Sequence, residues 1–585
     1  MSLLVVLLFL PFLSFNSECR ILRIDKGKIE GAERVFEGNR YYLFKRIPFA
    51  APPLGKLRFQ KAADVKNWKN VWNSTEYGPA CMSNSSVTKS PQKWVDEDCL
   101  HTNVFTSQAC LTKKNCPVAF YIHGGGMNYD SAVMFNDTML LKTFVSKDIV
   151  LVISAFRLGI FSHFIVNDQS VAPHNIGVFD ILKGLHFVHD NIKHFGGDPN
   201  RVTLFGHSFG ASVAGLMGFS PAVDPQNKLF HQIVCMSPAI SFYPLRTAIQ
   251  NTYEFAKQIN CSPPKKLSQK SGEQFMLECL QSKDQMELLQ MQHKLDDSGA
   301  AKFLGLIQTL PLFEGNIAYE AFKKPKKLAL LTGTTRQEFE RSLHQLPVGN
   351  LIDFKNQVEV DSKYRKDLKN GNTKFNYTDD TLEVMITSRV IANKFSEPGS
   401  KAFMYQYLYP KHNHHTDDLA FIMGVHAFEQ DENEQVLAEL YPKYFTNFVK
   451  YGNPDKDWKP TNQLTRNYFA IDWNSTSGLR PHMEDYYEKE VSKYWLDDMK
   501  VYDKYITAKK VENRINIFEI HKKIQKVSVR SLETYHQTSN FYNYWILVGL
   551  IFVLGIIVGR YTCRSKRNVY IRLNGYDYQE VVKPF

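Results

Sequence analysis

The chain has little of what marks the special classes of protein. Glycine (32) and proline (25) are modest in 585 residues, and 44% of the residues are hydrophobic against 22% charged, which excludes a disordered or collagen-like chain. No internal repeat or low-complexity tract interrupts residues 20–500. No Cys/His set stands at metal-ligand spacing, and neither a metal nor another cofactor is expected. The formal charge is +12, from 71 Lys and Arg against 59 Asp and Glu, a balance that by itself would suit nucleic acid or a membrane surface. Fifteen basic against eight acidic residues fall within 496–585, so most of the excess belongs to the C-terminal end. The basic run Lys323-Lys324-Pro325-Lys326-Lys327 leads straight into an apolar stretch and reads as a solvated loop. Nucleic acid is therefore not expected as a partner.

The two longest apolar runs lie at the two ends. Residues 3–13 are almost unbroken Leu, Val and Phe, too short for a bilayer, which needs about twenty residues. They predict a secretory signal peptide over 1–19, with Ser17 and Cys19 at the small-residue positions before the cut. Residues 541–561 have the length of a transmembrane helix, with Tyr542, Tyr544 and Trp545 at one interface and Tyr561 at the other. Arg560, Arg564, Lys566 and Arg567 place the following residues, 562–585, in the cytoplasm. The expectation is a single-pass type I cell-membrane protein whose large N-terminal part is extracellular or lumenal, joined to the helix by a charged stalk over 496–540. Gly555 and Gly559 offer a small-residue face for a second copy, so a homodimer or a cell-surface protein partner is a further expectation. Cys563 suits reversible palmitoylation.

Nine cysteines agree with export. Three local pairings, Cys81 with Cys99, Cys110 with Cys116 and Cys261 with Cys279, would each close a short loop, although spacing alone leaves other connectivities open. Cys235 stands in an apolar run and reads as a buried free thiol. Glycosylation sequons stand at Asn73, Asn84, Asn136, Asn260, Asn376 and Asn474.

Short apolar runs recur at 117–122, 149–154, 202–205, 232–236, 328–332 and 403–409, with helical patterns such as 177–195 between them. Continuous apolar strands alternating with helices predict an α/β fold, a mostly parallel sheet with helices on both faces. The run at 202–205 ends in Gly206-His207-Ser208-Phe209-Gly210, the G-x-S-x-G of a nucleophile elbow, and a helical pattern follows. Earlier, His123-Gly124-Gly125-Gly126 ends another strand, where glycines let backbone N–H groups approach a substrate oxygen. Met127-Asn128-Tyr129 follows without the Lys and Ser/Thr of a phosphate loop. Such a site needs an acid and then a histidine later in the chain. Glu338 lies just after the strand at 328–332; His412, His414, His415 and His426 all follow, and spacing does not choose among them.

Together with Glu97-Asp98-Cys99-Leu100, Phe195-Gly196-Gly197-Asp198-Pro199-Asn200, the segment 415–424 and the segment 445–454 (FTNFVKYGNP), these motifs resemble the type-B carboxylesterases, which include the cholinesterases. The likeness covers roughly 25–495 and implies one α/β-hydrolase domain over 20–495. It implies Ser208 as nucleophile, Glu338 as acid, His415 as base, and the N–H groups of Gly125, Gly126 and Phe209 as the oxyanion hole. It also implies the Cys81–Cys99 and Cys261–Cys279 bridges, and a small-molecule ester as substrate. The chain departs from the family in having His207 before the serine, where Glu is usual, and Phe209 after it, where Ala is usual. No Trp stands where cholinesterases bind choline, since Trp94 is too near Cys99. The resemblance implies a serine esterase, which the apolar run at 541–561 would anchor in the membrane; the alternative is a catalytically weak or inactive adhesion protein similar to the neuroligins.

Overall fold

A strand that is apolar on both sides must be covered on both sides, and the six apolar runs all become such strands. In the computed structural model, residues 19–83, 94–239, 242–315, 318–342, 347–535 and 548–554 are described. Among them thirteen strands form one sheet. They are β1 (Cys19–Ile24), β2 (Gly27–Phe36), β3 (Asn39–Pro48), β4 (Trp72–Ser74), β5 (His101–Ser107), β6 (Cys116–Ile122) and β7 (Val150–Ser154). Then come β8 (Gly197–His207), β9 (Gln232–Met236), β10 (Ala329–Thr335), β11 (Lys401–Tyr407), β12 (Tyr468–Ile471) and β13 (His482–Glu484). The order across the sheet is β1-β2-β3-β5-β7-β6-β8-β9-β10-β11-β12-β13, with β4 beside β2. Every pairing from β7 through β12 is parallel. Strands β1, β2, β3, β5 and β7 pair antiparallel on one side, and β13 pairs antiparallel on the other.

The antiparallel strands β1, β2, β3, β5 and β13 and the short strands β4 and β12 are what the apolar runs do not announce. In β2, Gly27–Phe36, Ile29 and Ala32 are buried while Val35 and several charged neighbours face water, because one side of such a strand stays solvated. The helix predicted over 177–195 runs from Ile176 to Asn191 and tightens into a 3₁₀ turn at Ile192–Phe195. Gly196 ends that turn at φ +84°, where a Cβ would lie 2.3 Å from the Cys110 carbonyl oxygen. The Phe195–Asn200 motif is thus a tight junction feeding β8.

The chain divides into two compact units, the first ending at Lys504 and the second beginning at Tyr505. Burial continues past the expected boundary at 495: Leu496, Met499 and Asp503 are all buried. The residues expected as a stalk are largely an α-helix, Met499–Tyr535. Residues 1–18 of the expected signal peptide, Asn84, 541–547 and 555–561 of the expected transmembrane helix, and the tail 562–585 lie outside the described residues. Residues 548–554 are helical, and among the described residues no helix is long and apolar enough to cross a membrane.

All three local pairings are disulfides, Cys81–Cys99, Cys110–Cys116 and Cys261–Cys279. Cys235 is buried in β9 with its thiol intact. Asn73, Asn136, Asn260, Asn376 and Asn474 are all exposed.

Candidate active site

Strand β8 buries Val202, Leu204 and Phe205 and delivers Ser208 at its C-terminal end. Ser208 sits at φ +55°, ψ −123°, and its N–H donates to the Met236 carbonyl at 2.9 Å. A non-glycine residue held there stores on the order of 1–3 kcal/mol of strain. The two flanking glycines are demanded by space. A Cβ on Gly206 would lie 2.2 Å from the Gly210 carbonyl carbon, and one on Gly210 would lie 2.1 Å from the Ile122 carbonyl oxygen. The chain can therefore turn at once into the helix Phe209–Met217, leaving the serine side chain at the tip of the turn.

His415 comes from the loop after β11. Its Nε2 lies 2.7 Å from the Ser208 hydroxyl and its Nδ1 lies 2.5 Å from Glu338 Oε2. Glu338 follows β10 at φ +45°. Its other oxygen accepts from the Ser237 hydroxyl at 2.7 Å and from the Thr335 N–H at 2.8 Å. The two loops are tied by backbone: the His415 N–H donates to the Glu338 carbonyl (2.8 Å), and the Gln337 N–H to that of Asn413 (3.1 Å). So Ser208, His415 and Glu338, far apart in sequence, form one continuous hydrogen-bonded relay. Burial pushes the Glu338 carboxyl up, while the Ser237 and Thr335 donors pull it back down. Burial also pushes the His415 imidazole below its ordinary value, opposed by the charge of Asp380.

Of the other three candidate histidines, two are engaged elsewhere and the third is exposed. His412 Nδ1 lies 2.6 Å from a Glu434 oxygen; His414 lies within 3.5 Å of Asp417 and 3.4 Å of Glu340; His426 is exposed. His207 is different. It is buried beside the relay, with Nε2 2.7 Å from the His415 carbonyl oxygen.

Ser208 and His415 open into a cavity of about 100 Å³ that Gly126 and Phe209 also line. Gly125 stands next to them at φ +88°, where a Cβ would lie 2.1 Å from the Tyr129 carbonyl oxygen, so only glycine fits. Tyr129, Tyr243, Leu306 and Phe339 give the cavity apolar walls, and Asp380 and Glu383 from the helix Asp379–Phe395 add carboxylates. Phe339 packs on the His415 ring with centroids 4.1 Å apart. Among the described residues no group of His, Cys, Asp and Glu could hold a metal ion. Ser237, Thr335, Asp380 and Glu383 escape a reading of the sequence, because each is an ordinary polar residue until the sheet order brings it beside the relay.

This arrangement is that of a serine hydrolase. Residues 18–389 and 355–495 match the carboxylesterase family, and the chain belongs to that family. Over 502 residues it is 27% identical to liver carboxylesterase 1F of Rattus norvegicus, covering 74% of this chain and 86% of that one. It is likewise 27% identical to carboxylesterase 5A of Homo sapiens, over 75% of this chain and 83% of that one. Among solved structures, juvenile hormone esterase from Manduca sexta, with OTFP covalently attached, superposes with a TM-score of 0.69 at 21% identity. That match covers 83% of this chain and all (100%) of the other, and it shows the shared α/β-hydrolase fold. The protein is a carboxylic ester hydrolase. The findings give no support to the neuroligin-like alternative.

Proposed function

We propose that the chain cleaves carboxylic esters through an acyl-enzyme on Ser208. The observation that carries this reading is the unbroken path from the Ser208 hydroxyl through His415 to Glu338. In it the serine oxygen attacks the ester carbonyl as His415 Nε2 takes its proton. Glu338 holds the Nδ1–H tautomer and stabilises the imidazolium. The negative oxygen that forms is received by the N–H groups of Gly125, Gly126 and Phe209. His415 then protonates the leaving alcohol, and a water, activated by the same imidazole, releases the acid and restores the serine. Mostly apolar walls and a small cavity favour an ester with a compact acyl group.

The reading extends to location: a type I membrane esterase with its hydrolase domain outside the cytoplasm. The apolar runs at 3–13 and 541–561, the basic residues after the second, and three disulfides support it. Full-length protein made in cells is expected to resist alkaline extraction from membranes, and a chain stopped at 540 to appear in the medium. Recovery of both forms in the soluble fraction counts against anchoring.

Activity is tested with purified protein, a fluorophosphonate probe and a short-chain aryl ester. Ser208→Ala is expected to abolish labelling and to lower kcat by on the order of 10⁴- to 10⁶-fold. Turnover that survives in Ser208→Ala rules out the acyl-enzyme at that residue.

A further inference from the structure

His207 ends β8 immediately before the nucleophile, fully enclosed, and no step above uses it. Its Nε2 lies 2.7 Å from the His415 carbonyl oxygen, a distance that requires a hydrogen on that nitrogen. The neutral ring is thus the Nε2–H tautomer, with Nδ1 beside Gly124 in the glycine-rich loop, 3.5 Å from where a Cβ on that glycine would stand. The His207 and His415 rings face each other with centroids 4.9 Å apart and planes tilted by 46°.

We propose that His207 is a positioning residue, which as a neutral imidazole holds the main chain of the general base and adds no negative charge at its own position, so that ester hydrolysis persists into mildly acidic solution. The inference rests on the acyl-enzyme reading, in which His415 becomes positively charged once per half-reaction. A residue 4.9 Å from that charge acts on it directly. A carboxylate there would stabilise the imidazolium and raise the pH at which the base is lost; a neutral donor fixes the geometry without doing so. The charged and titratable groups that otherwise bear on the pair are known by position. Glu338 and Asp380 act on His415, and Glu383 lines the cavity with it. His414 and Asp418 act on Glu338, and His426 on His207. Burial and the two neighbouring imidazoles hold His207 itself well below its ordinary value, so it stays neutral where the base works.

The test compares His207→Glu, His207→Gln and His207→Ala in the intact hydrolase, each first checked for folding by its melting temperature. Two quantities are read: the acid limb of kcat/KM on an aryl ester, and the titration of the His415 ring by NMR of histidine-labelled protein, assigned with His415→Gln. His207→Glu is expected to raise both by about one to three pH units. His207→Gln, which keeps a donor, leaves both near wild type with kcat retained. His207→Ala lowers kcat about three- to tenfold at unchanged KM. An unmoved His415 titration in folded His207→Glu, or a His207→Gln as slow as His207→Ala, overturns the proposal. Where the Glu variant does not fold, the Gln and Ala pair decides. The NMR titration needs no turnover, so a wild-type chain inert towards esters would end the acyl-enzyme reading while His207 is still judged by the shift.

Discussion

At the scale of single residues, the proposed acyl-enzyme reaction requires His415 to be neutral enough to accept the serine proton. An ordinary imidazole titrates near 6.5, and burial holds the His415 ring below that. Activity is therefore present above the lowered value and lost as the pH falls through it, and the acid limb of kcat/KM is expected below pH 6.5. A pH–rate profile whose acid limb stands at or above 6.5 contradicts this. Ser237 gives a second residue-scale prediction. Its hydroxyl, at 2.7 Å, is one of the donors that oppose the upward push of burial on Glu338 and favour its charged form, and a hydrogen bond to a charged group contributes about 1.5–3 kcal/mol. Ser237→Ala is expected to lower kcat about tenfold or more at neutral pH with little change in KM, measured by steady-state kinetics on the same ester. Of these residues Ser208, Glu338 and His415 are legible as a motif and its matched partners. Ser237 is not, because its role depends on β9 lying between β8 and β10 in the sheet.

At the scale of elements, the elbow is a packing problem solved by two missing side chains. The helix Phe209–Met217 approaches the end of β6 so closely that Gly210 touches the Ile122 carbonyl region. Gly210→Ala must push the helix off the sheet, which overpacks a fully buried junction at a cost of about 1–3 kcal/mol. Thermal melting of the folded variant is expected to show a clear fall in Tm, with activity lost further than stability, because the shift moves Ser208. An unchanged Tm would mean that the junction has slack. Elsewhere the apolar runs mark the parallel strands β6 to β11 but miss the short parallel strand β12, while the antiparallel strands β1 and β2 mix buried and exposed positions and leave no continuous run; β3, whose Tyr41–Phe44 are all buried and apolar, is missed as well. The Glu97–Leu100 motif proves to be structural. Glu97 takes the Arg58 guanidinium on both oxygens, and Arg58 also donates to the Leu280 and Lys283 carbonyls, tying the Cys81–Cys99 loop to the end of the helix Gln269–Gln281.

At the scale of the whole molecule, disulfides shorten the unfolded chain's freedom according to the loops that they close. Cys261–Cys279 closes a span of 18 residues and Cys110–Cys116 a span of 6. Replacing both cysteines of a pair by serine is expected to cost about 3 kcal/mol for the first and about 2 kcal/mol for the second in denaturant unfolding. The reverse order would show that native contacts, not loop closure, set their worth. The sequence by itself determined the class of fold, the elbow with its serine and the glycine loop, because each is written in local spacing and in the steric need for glycine, whereas Glu338 and His415 were picked out by the family resemblance. It also determined that the +12 says little about the hydrolase part, since most of the excess lies after residue 495. Only the tertiary structure decided what completes the site. The parallel order β8-β9-β10-β11 sets the C-terminal ends of those strands side by side, bringing Ser208, Ser237, Glu338 and His415 within hydrogen-bond reach and turning His207 towards the base. Local periodicity carries no record of which strands become neighbours; that follows from burying all of their apolar faces at once.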